Sequence, residues 1–441
     1  MCMKQRFKNC WSQFKSKIKC NSKQIIISSC VALLLLIGGY WGNNLPLFTG
    51  EKLALYAFLE NINDKLFDTP DDTCVVYINT AFDKELIPCV DQANFKGSKP
   101  VKLGNTEITD RRKLYQFLSL LKDVDYKYLI IDLRFEKSLK SDAKIYDETS
   151  CDSVWVDDKL FELIADMPNV VVATHSGIKL ATPQLEAKAA LADYFSTVTS
   201  TNFVRYEYQD SIPYIPLAVY NDLQRQKGGD EIVCHLPFGS RRLKRFAVYT
   251  QGWQLCHNSL FVDFYLNEKT KDSCRVGENQ GPVLMIKKQI KRLGTELLEE
   301  TTFSPPETKI AGECSDRYVI IGNISEDLHD TYAGMKPGSV ILYRALNCLN
   351  EGRHLVSIYH ILFLFIVYFI ISFFIIKGKS VFMLFNLKND RHVISFLTDW
   401  LSFTTVLLLI NVFEYLFLRE AYSFMLPLIV FTLLKFYKKY C

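Results

Sequence analysis

The sequence predicts an extracytoplasmic α/β domain with a mainly parallel sheet and helices on both faces, plus four transmembrane α-helices. Three observations lead there. Four runs are apolar and close to the roughly 20 residues a bilayer requires. Short β-branched runs alternate with helical periodicity through the long segment between the first and second of them. The cationic residues gather on one side of the topology that four spans imply. With 441 residues, 49% of them hydrophobic and 31 of them Phe, the chain has ample material for a core, so disorder is not expected. A net charge of only +4, and no dense basic stretch interleaved with aromatics in the middle region, argue against nucleic acid as a partner.

The first span is read at 24–42, behind a basic tail, 1–23, that holds seven Lys or Arg and no acid. That is the layout of a signal anchor. No small-x-small cleavage site follows, where the sequence reads YWGNNLPLFTG, so the helix is expected to be retained. Further spans are read at 356–376, 394–418 and 421–434. The tail, the loop 377–393 with Lys377, Lys379, Lys388 and Arg391, and the end 435–441 with Lys435, Lys438 and Lys439 all fall on one side. That side is the cytoplasm by the positive-inside rule, with both termini in it and residues 43–355 exported. Asp399, Asn411 and Glu414 lie in or near the third span and are read as interfacial and bundle-packing groups rather than a proton path.

In the exported part, Leu53, Leu55, Phe58, Leu59 and Ile62 make one stripe of a helix over 51–66. A buried strand follows at 74–79, then a helix capped by Thr109 or Asp110 that runs through Tyr115, Leu118 and Leu121. A strand at 128–133, a helix at 156–166 and a strand at 169–174 repeat the alternation, which implies parallel pairing. The part from 190 to 300 is less regular and reads as an insertion or an antiparallel extension, with a helix at 286–300. Parallel character returns with a strand at 317–322 and a helix at 339–349 that feeds the second span. No internal repeat appears, so one exported domain is the simplest count.

Several of these segments together resemble a known family. Tyr318-Val-Ile-Ile-Gly322, Asp327-Leu-His-Asp330, Gly334-Met-Lys-Pro-Gly338 and the helix with Ala345 and Leu349 are similar, in order and spacing, to the closing part of the second class of CHASE domains. These are sensory extracellular modules associated with bacterial adenylyl cyclases and histidine kinases. Asp110-Arg-Arg, Ile130-Ile-Asp132-Leu-Arg-Phe135, Asp157-Asp158, Val204 to Ser211 and Pro213 to Tyr220 resemble its earlier elements. The resemblance covers most of 45–355, with one anchor ahead and three helices behind, as is usual in that family. Strand 74–79 departs from it by ending in Asn79. The resemblance implies a sensor in a bacterial inner membrane with its large domain in the periplasm. No output domain is expected, so a separate protein partner would carry the output.

Ligands of parallel α/β sheets bind beyond the carboxyl ends of the strands. That rule selects Asn79, Asp132, Arg134, His175, Asp327, His329 and Asp330, whose chemistry suits a small ligand or a cation. The plainer reading is that Asp132 and Asp330 cap helices or turns and pair with Arg134. There is no G-x-S-x-G elbow, no H-E-x-x-H and no Gly-rich phosphate loop, so neither enzymatic activity nor a cofactor is expected. Cysteines stand at 74, 89, 151, 234, 256, 274, 314 and 348 of the exported part. Cys234-His235 and Cys256-His257 repeat a pair, for which a Cys234–Cys256 disulfide is preferred to a metal site. The function expected is a sensor that relays a bound ligand or protein to its partner through the membrane helices. The alternative is a scaffold subunit of a cell-envelope complex.

Overall fold

The computed structural model describes residues 22–42, 74–90, 102–147, 151–193, 212–236, 247–257, 311–331, 334–378, 392–418 and 422–440, with a few isolated residues between them. Among these, the central sheet has strands β1 (Val75–Asn79), β2 (Tyr128–Asp132), β3 (Val170–Thr174), β4 (Ala189–Leu191) and β5 (Tyr318–Gly322). They lie in the order β1-β5-β2-β3-β4, all parallel. Every residue of β1, β3 and β5 is buried, as strands covered on both faces require.

The helices among the described residues include α1 (Ser22–Gly42), α2 (Arg111–Leu121), α3 (Val156–Asp166), α4 (Pro183–Glu186), α5 (Ile215–Gln226), α6 (Gly338–Asn350), α7 (Ile358–Ile376), α8 (His392–Leu418) and α9 (Met425–Tyr440). Successive strand residues face opposite ways, which splits the core in two. On one face Val76, Ile78, Leu129, Ile131, Val319 and Ile321 meet α2 and α3 through Leu114, Leu118, Leu160 and Ile164. On the other, Val75, Tyr77, Tyr128, Ile130 and Ile320 meet α5 and α6 through Leu217, Tyr220, Ile341 and Leu346. Asp110 caps α2, accepting from the amides of Arg112 and Lys113 at 3.0 and 3.2 Å.

The chain therefore leaves β5 towards the α6 face, while the helices after its neighbours β1 and β2 lie on the opposite face. Such a reversal opens a crevice at the carboxyl ends of adjacent strands. Antiparallel pairs border it: Lys84–Val90 with Lys102–Thr109, and Leu328–Thr331 with Gly334–Pro337.

The part from 190 to 300, read as an insertion or an antiparallel extension, includes a separate three-stranded antiparallel sheet of Ile232–His235, Val248–Gln251 and Gln254–Cys256. Its register corrects the expected disulfide. Cys234 pairs with Tyr249, and Tyr249 in turn with Cys256, so a whole strand separates the two cysteines. Two strand spacings are about 9.5 Å, too far for a disulfide, and none joins the two thiols.

Helices α1 and α7, of 21 and 19 residues, are long and apolar enough to cross a membrane. Shorter apolar helical stretches occupy Leu401–Phe417 of α8 and Met425–Tyr437 of α9. The four helices share a core with Leu35, Tyr368, Leu407 and Phe431, and yet expose Leu34, Leu362, Leu409 and Leu433 outward. Buried polar groups fix the packing. His360 Nδ1 lies 3.0 Å from Glu414 Oε1, and Asn411 Oδ1 accepts from the Tyr422 amide at 3.0 Å. Glu51 accepts from the amides of Phe424 and Met425, closing the first turn of α9.

Of the helix expected over 51–66, only Glu51, Ala54, Leu55 and Phe58 are described, and each is helical. The helix expected at 286–300, the basic tail through residue 21 and the side chain of Asp399 lie outside the described residues.

Candidate functional site

A cavity of about 530 Å³ occupies the crevice at the carboxyl ends of β2, β3 and β5. At its floor Asp132, the last residue of β2, is the register partner of Gly322, the last residue of β5. A Cβ on Gly322 would stand 2.4 Å from Ser339 Oγ, so the bare glycine is what lets the first turn of α6 reach the β2 end. There Ser339 Oγ donates to Asp132 Oδ2 at 3.2 Å, and the carboxylate faces the positive end of α6.

Burial, with the charge of Asp327 adding to it, pushes the Asp132 carboxyl up to about 6; Ser339, His175 and His329 pull the other way. The hydrogen bond from His329 Nε2 to Asp327 Oδ1, 3.1 Å long, raises the His329 imidazole above its ordinary value. From β3, His175 places Nδ1 2.6 Å from Asp193 Oδ1, while Asp193 Oδ2 accepts from the Ser176 amide at 2.8 Å. Two histidines and three aspartates thus converge on one space.

Behind the wall, the buried Arg111 supports the segment that follows β2. Its Nη2 donates to the Arg134 carbonyl at 2.7 Å, and its guanidinium lies 4.5 Å from the centre of the Phe135 ring. Burial lowers Arg111 to about 10, while Asp157, with a carboxylate oxygen 3.6 Å from Nε, and Glu85 hold it up. It stays charged at neutral pH.

Of the residues selected from the sequence, Asp132, Arg134, His175, Asp327 and His329 line this one cavity. Asn79 and Asp330 are not among its walls. Asn79 is buried and structural: its Oδ1 accepts from the amides of Ala81 and Ile324 at 3.1 and 3.2 Å, and its Nδ2 donates to Ser325. It fixes the loop that carries Asp327. Asp330 lies on the strand Leu328–Thr331, opposite Met335. Arg134 is exposed, with Nη2 2.6 Å from Glu136, rather than paired with Asp132. Sequence reasoning missed Lys84, Glu107, Glu136 and Asp193, which also line the cavity.

The walls hold five carboxylates, Glu107, Asp132, Glu136, Asp193 and Asp327, against the cations Lys84 and Arg134. With the histidines counted neutral, the acids outnumber the cations, so the lining carries a negative formal charge at neutral pH. Among the described residues, no three His, Cys, Asp or Glu side chains are grouped as a metal ion would need.

Compared with protein-family models, with curated proteins and with solved structures, the chain matches none. The structure itself defines a parallel α/β protein with a polar cavity at the reversal of its sheet and two helices of membrane-crossing length and composition.

Proposed function

We propose that this chain is a membrane-anchored sensor whose exported α/β domain binds a small cationic ligand and relays its presence through the helices to a protein partner. The reading includes the four-span topology, with α8 and α9 crossing as well as α1 and α7, both termini in the cytoplasm and the domain in the periplasm of a bacterial inner membrane. The resemblance to the second class of CHASE domains supports the sensory role. The observation that carries the proposal is the contact between Ser339 and Asp132 at the cavity floor, because it joins the binding space to α6.

The rest of the route supports a relay. At the far end of α6, His354 Nε2 lies 2.7 Å from Gln251 Oε1, and its carbonyl accepts from the His257 amide. The Val356 amide donates to Leu255, just before α7 begins. The hydroxyl of Tyr40 on α1 donates to the Cys256 carbonyl at 2.8 Å. One strand, Gln254–Cys256, is thereby tied both to α1 and to the entry of α7. An organic ammonium suits the cavity better than a metal, since acids are spread around its walls rather than gathered at a point.

Thermal unfolding of the full chain in detergent at pH 7.5, against a panel of polyamines and basic amino acids with dicarboxylates as controls, tests this. A ligand present at about a hundred times its Kd should add about 2.7 kcal/mol of stability. Stabilisation by amines and not by dicarboxylates is the expected outcome. Stabilisation by dicarboxylates alone would contradict the reading.

A further inference from the structure

A second cavity, of about 320 Å³, lies where the helices meet the α/β domain. Leu36 and Gly39 of α1, His360 and Leu364 of α7, Leu255 of the three-stranded sheet and Tyr422 ahead of α9 form its walls. Tyr40 and Trp41 stand beside it at the end of α1. Aromatic rings at the end of a membrane helix mark the level of the lipid headgroups. The cavity is therefore at the depth where a lipid's acyl chain leaves its headgroup. Its volume takes roughly ten methylene groups at the ~30 Å³ that one small liquid molecule occupies.

One wall residue asks for a hydrogen-bond partner. Tyr422 is only 6% exposed, and among the described residues its buried hydroxyl has none. The residue is held in place, since its amide is bonded to Asn411 and its ring packs edge-on against Tyr368 at 6.0 Å. Burying a hydroxyl without a partner is costly, so a ligand oxygen that reaches it would be bound with a gain.

We propose that this cavity holds one acyl chain of a membrane glycerolipid, with the Tyr422 hydroxyl donating to an ester oxygen. The lipid would wedge between α1 and α7 beneath the strand tied to both, so it would stiffen the junction between domain and membrane. The inference rests on α1 and α7 being embedded in a bilayer and not on what the cavity at the strand ends binds.

Native mass spectrometry of the full chain, extracted from membranes in mild detergent, tests it. The wild type should carry one glycerolipid per chain. Gly39 lines the cavity, and a Cβ there meets nothing within 4 Å, so Gly39→Leu starts its side chain in open space and takes up cavity volume. That variant should unfold at the wild-type temperature after delipidation and retain at least about tenfold less lipid. Tyr422→Phe keeps the shape and should release the lipid about five to ten times more readily, the loss of one hydrogen bond. A wild type without lipid, or both variants retaining as much as the wild type, would overturn the proposal. Recovery of the chain in the soluble fraction without detergent would instead refute the membrane placement of α1 and α7, a separable failure.

Discussion

Ser339 and Asp132 meet at the carboxyl ends of the two central strands, where the Ser339 hydroxyl donates to the Asp132 carboxylate at 3.2 Å. The contact puts a carboxyl of raised proton affinity between a cavity and the start of a 13-residue helix. Any ligand that takes over this carboxylate competes with the N-terminus of α6. In the proposed relay, that competition would be the physical step from binding to movement.

Asp132→Asn separates binding from folding. A folded-state value near 6, against an ordinary 3.8, means that ionising this carboxyl at pH 7.5 costs stability. The amide removes that cost and still accepts from Ser339, so the variant should be about 1–2 kcal/mol more stable than the wild type at pH 7.5. It should also lose the amine-dependent shift in unfolding temperature. A variant that is less stable and still responds would sink the assignment of Asp132.

Gly322→Ala tests the close approach directly. Its Cβ would meet Ser339 Oγ at 2.4 Å and Asp132 Cβ at 3.4 Å, so either the Ser339 hydroxyl turns away from Asp132 or α6 backs away from β2. A loss of about 1–3 kcal/mol in chemical unfolding is expected, with weakened ligand response, because overpacking shifts backbone at this contact. An unchanged midpoint would mean that the helix start is loosely held.

The pH dependence has two opposing parts. Burial, with His257 nearby, pushes His354 down to about 4. An unfolded chain protonates this histidine near pH 6.5, so its stabilising contribution is present above pH 6.5 and is lost as pH falls towards 4. Asp132 runs the other way: its contribution is present at low pH and is lost as pH rises from about 4 to 6. Comparing wild type with His354→Gln between pH 7.5 and 4.5 isolates the first part. The wild type should lose about 2–3 kcal/mol more than the variant over that range. Parallel curves would place His354 in contact with water.

In the helical cluster, His360 and Glu414 should behave as a pair. Both are buried, and their closest atoms are 3.0 Å apart. Glu414→Ala alone should cost about 3–5 kcal/mol by leaving its partner among apolar side chains. Adding His360→Ala should cost much less than its single effect, which a double-mutant cycle in detergent measures. Additive losses would show that the two side chains are not coupled.

Much of this architecture is legible in the sequence, for physical reasons that vary by element. Strands such as Val170–Thr174 and Tyr318–Gly322 are buried on both faces, and so they appear as unbroken apolar runs. Strand β4 is three residues long and rich in Ala, too short to register, and with it Asp193 escaped notice although the strand-end rule would have selected it. The pair Lys84–Val90 and Lys102–Thr109 mixes charged and apolar residues with Pro88 and Gly104, and it carries Lys84 and Glu107 into the cavity unseen. Asn79 obeys the strand-end rule and yet serves the loop, because its side chain is consumed by two backbone amides. The Cys234–Cys256 pairing failed on register, which the intervening residues do not encode.

Hydrogen–deuterium exchange of the full chain, with and without the stabilising amine, tests the central claim most directly. A relay through α6 predicts slowed exchange in 323–329 at the cavity and, in the same experiment, altered exchange in 351–358 at the entry of α7. Both effects should vanish in Asp132→Asn. Protection confined to the cavity, with 351–358 unchanged to the last time point, would contradict a sensor that signals through its membrane helices.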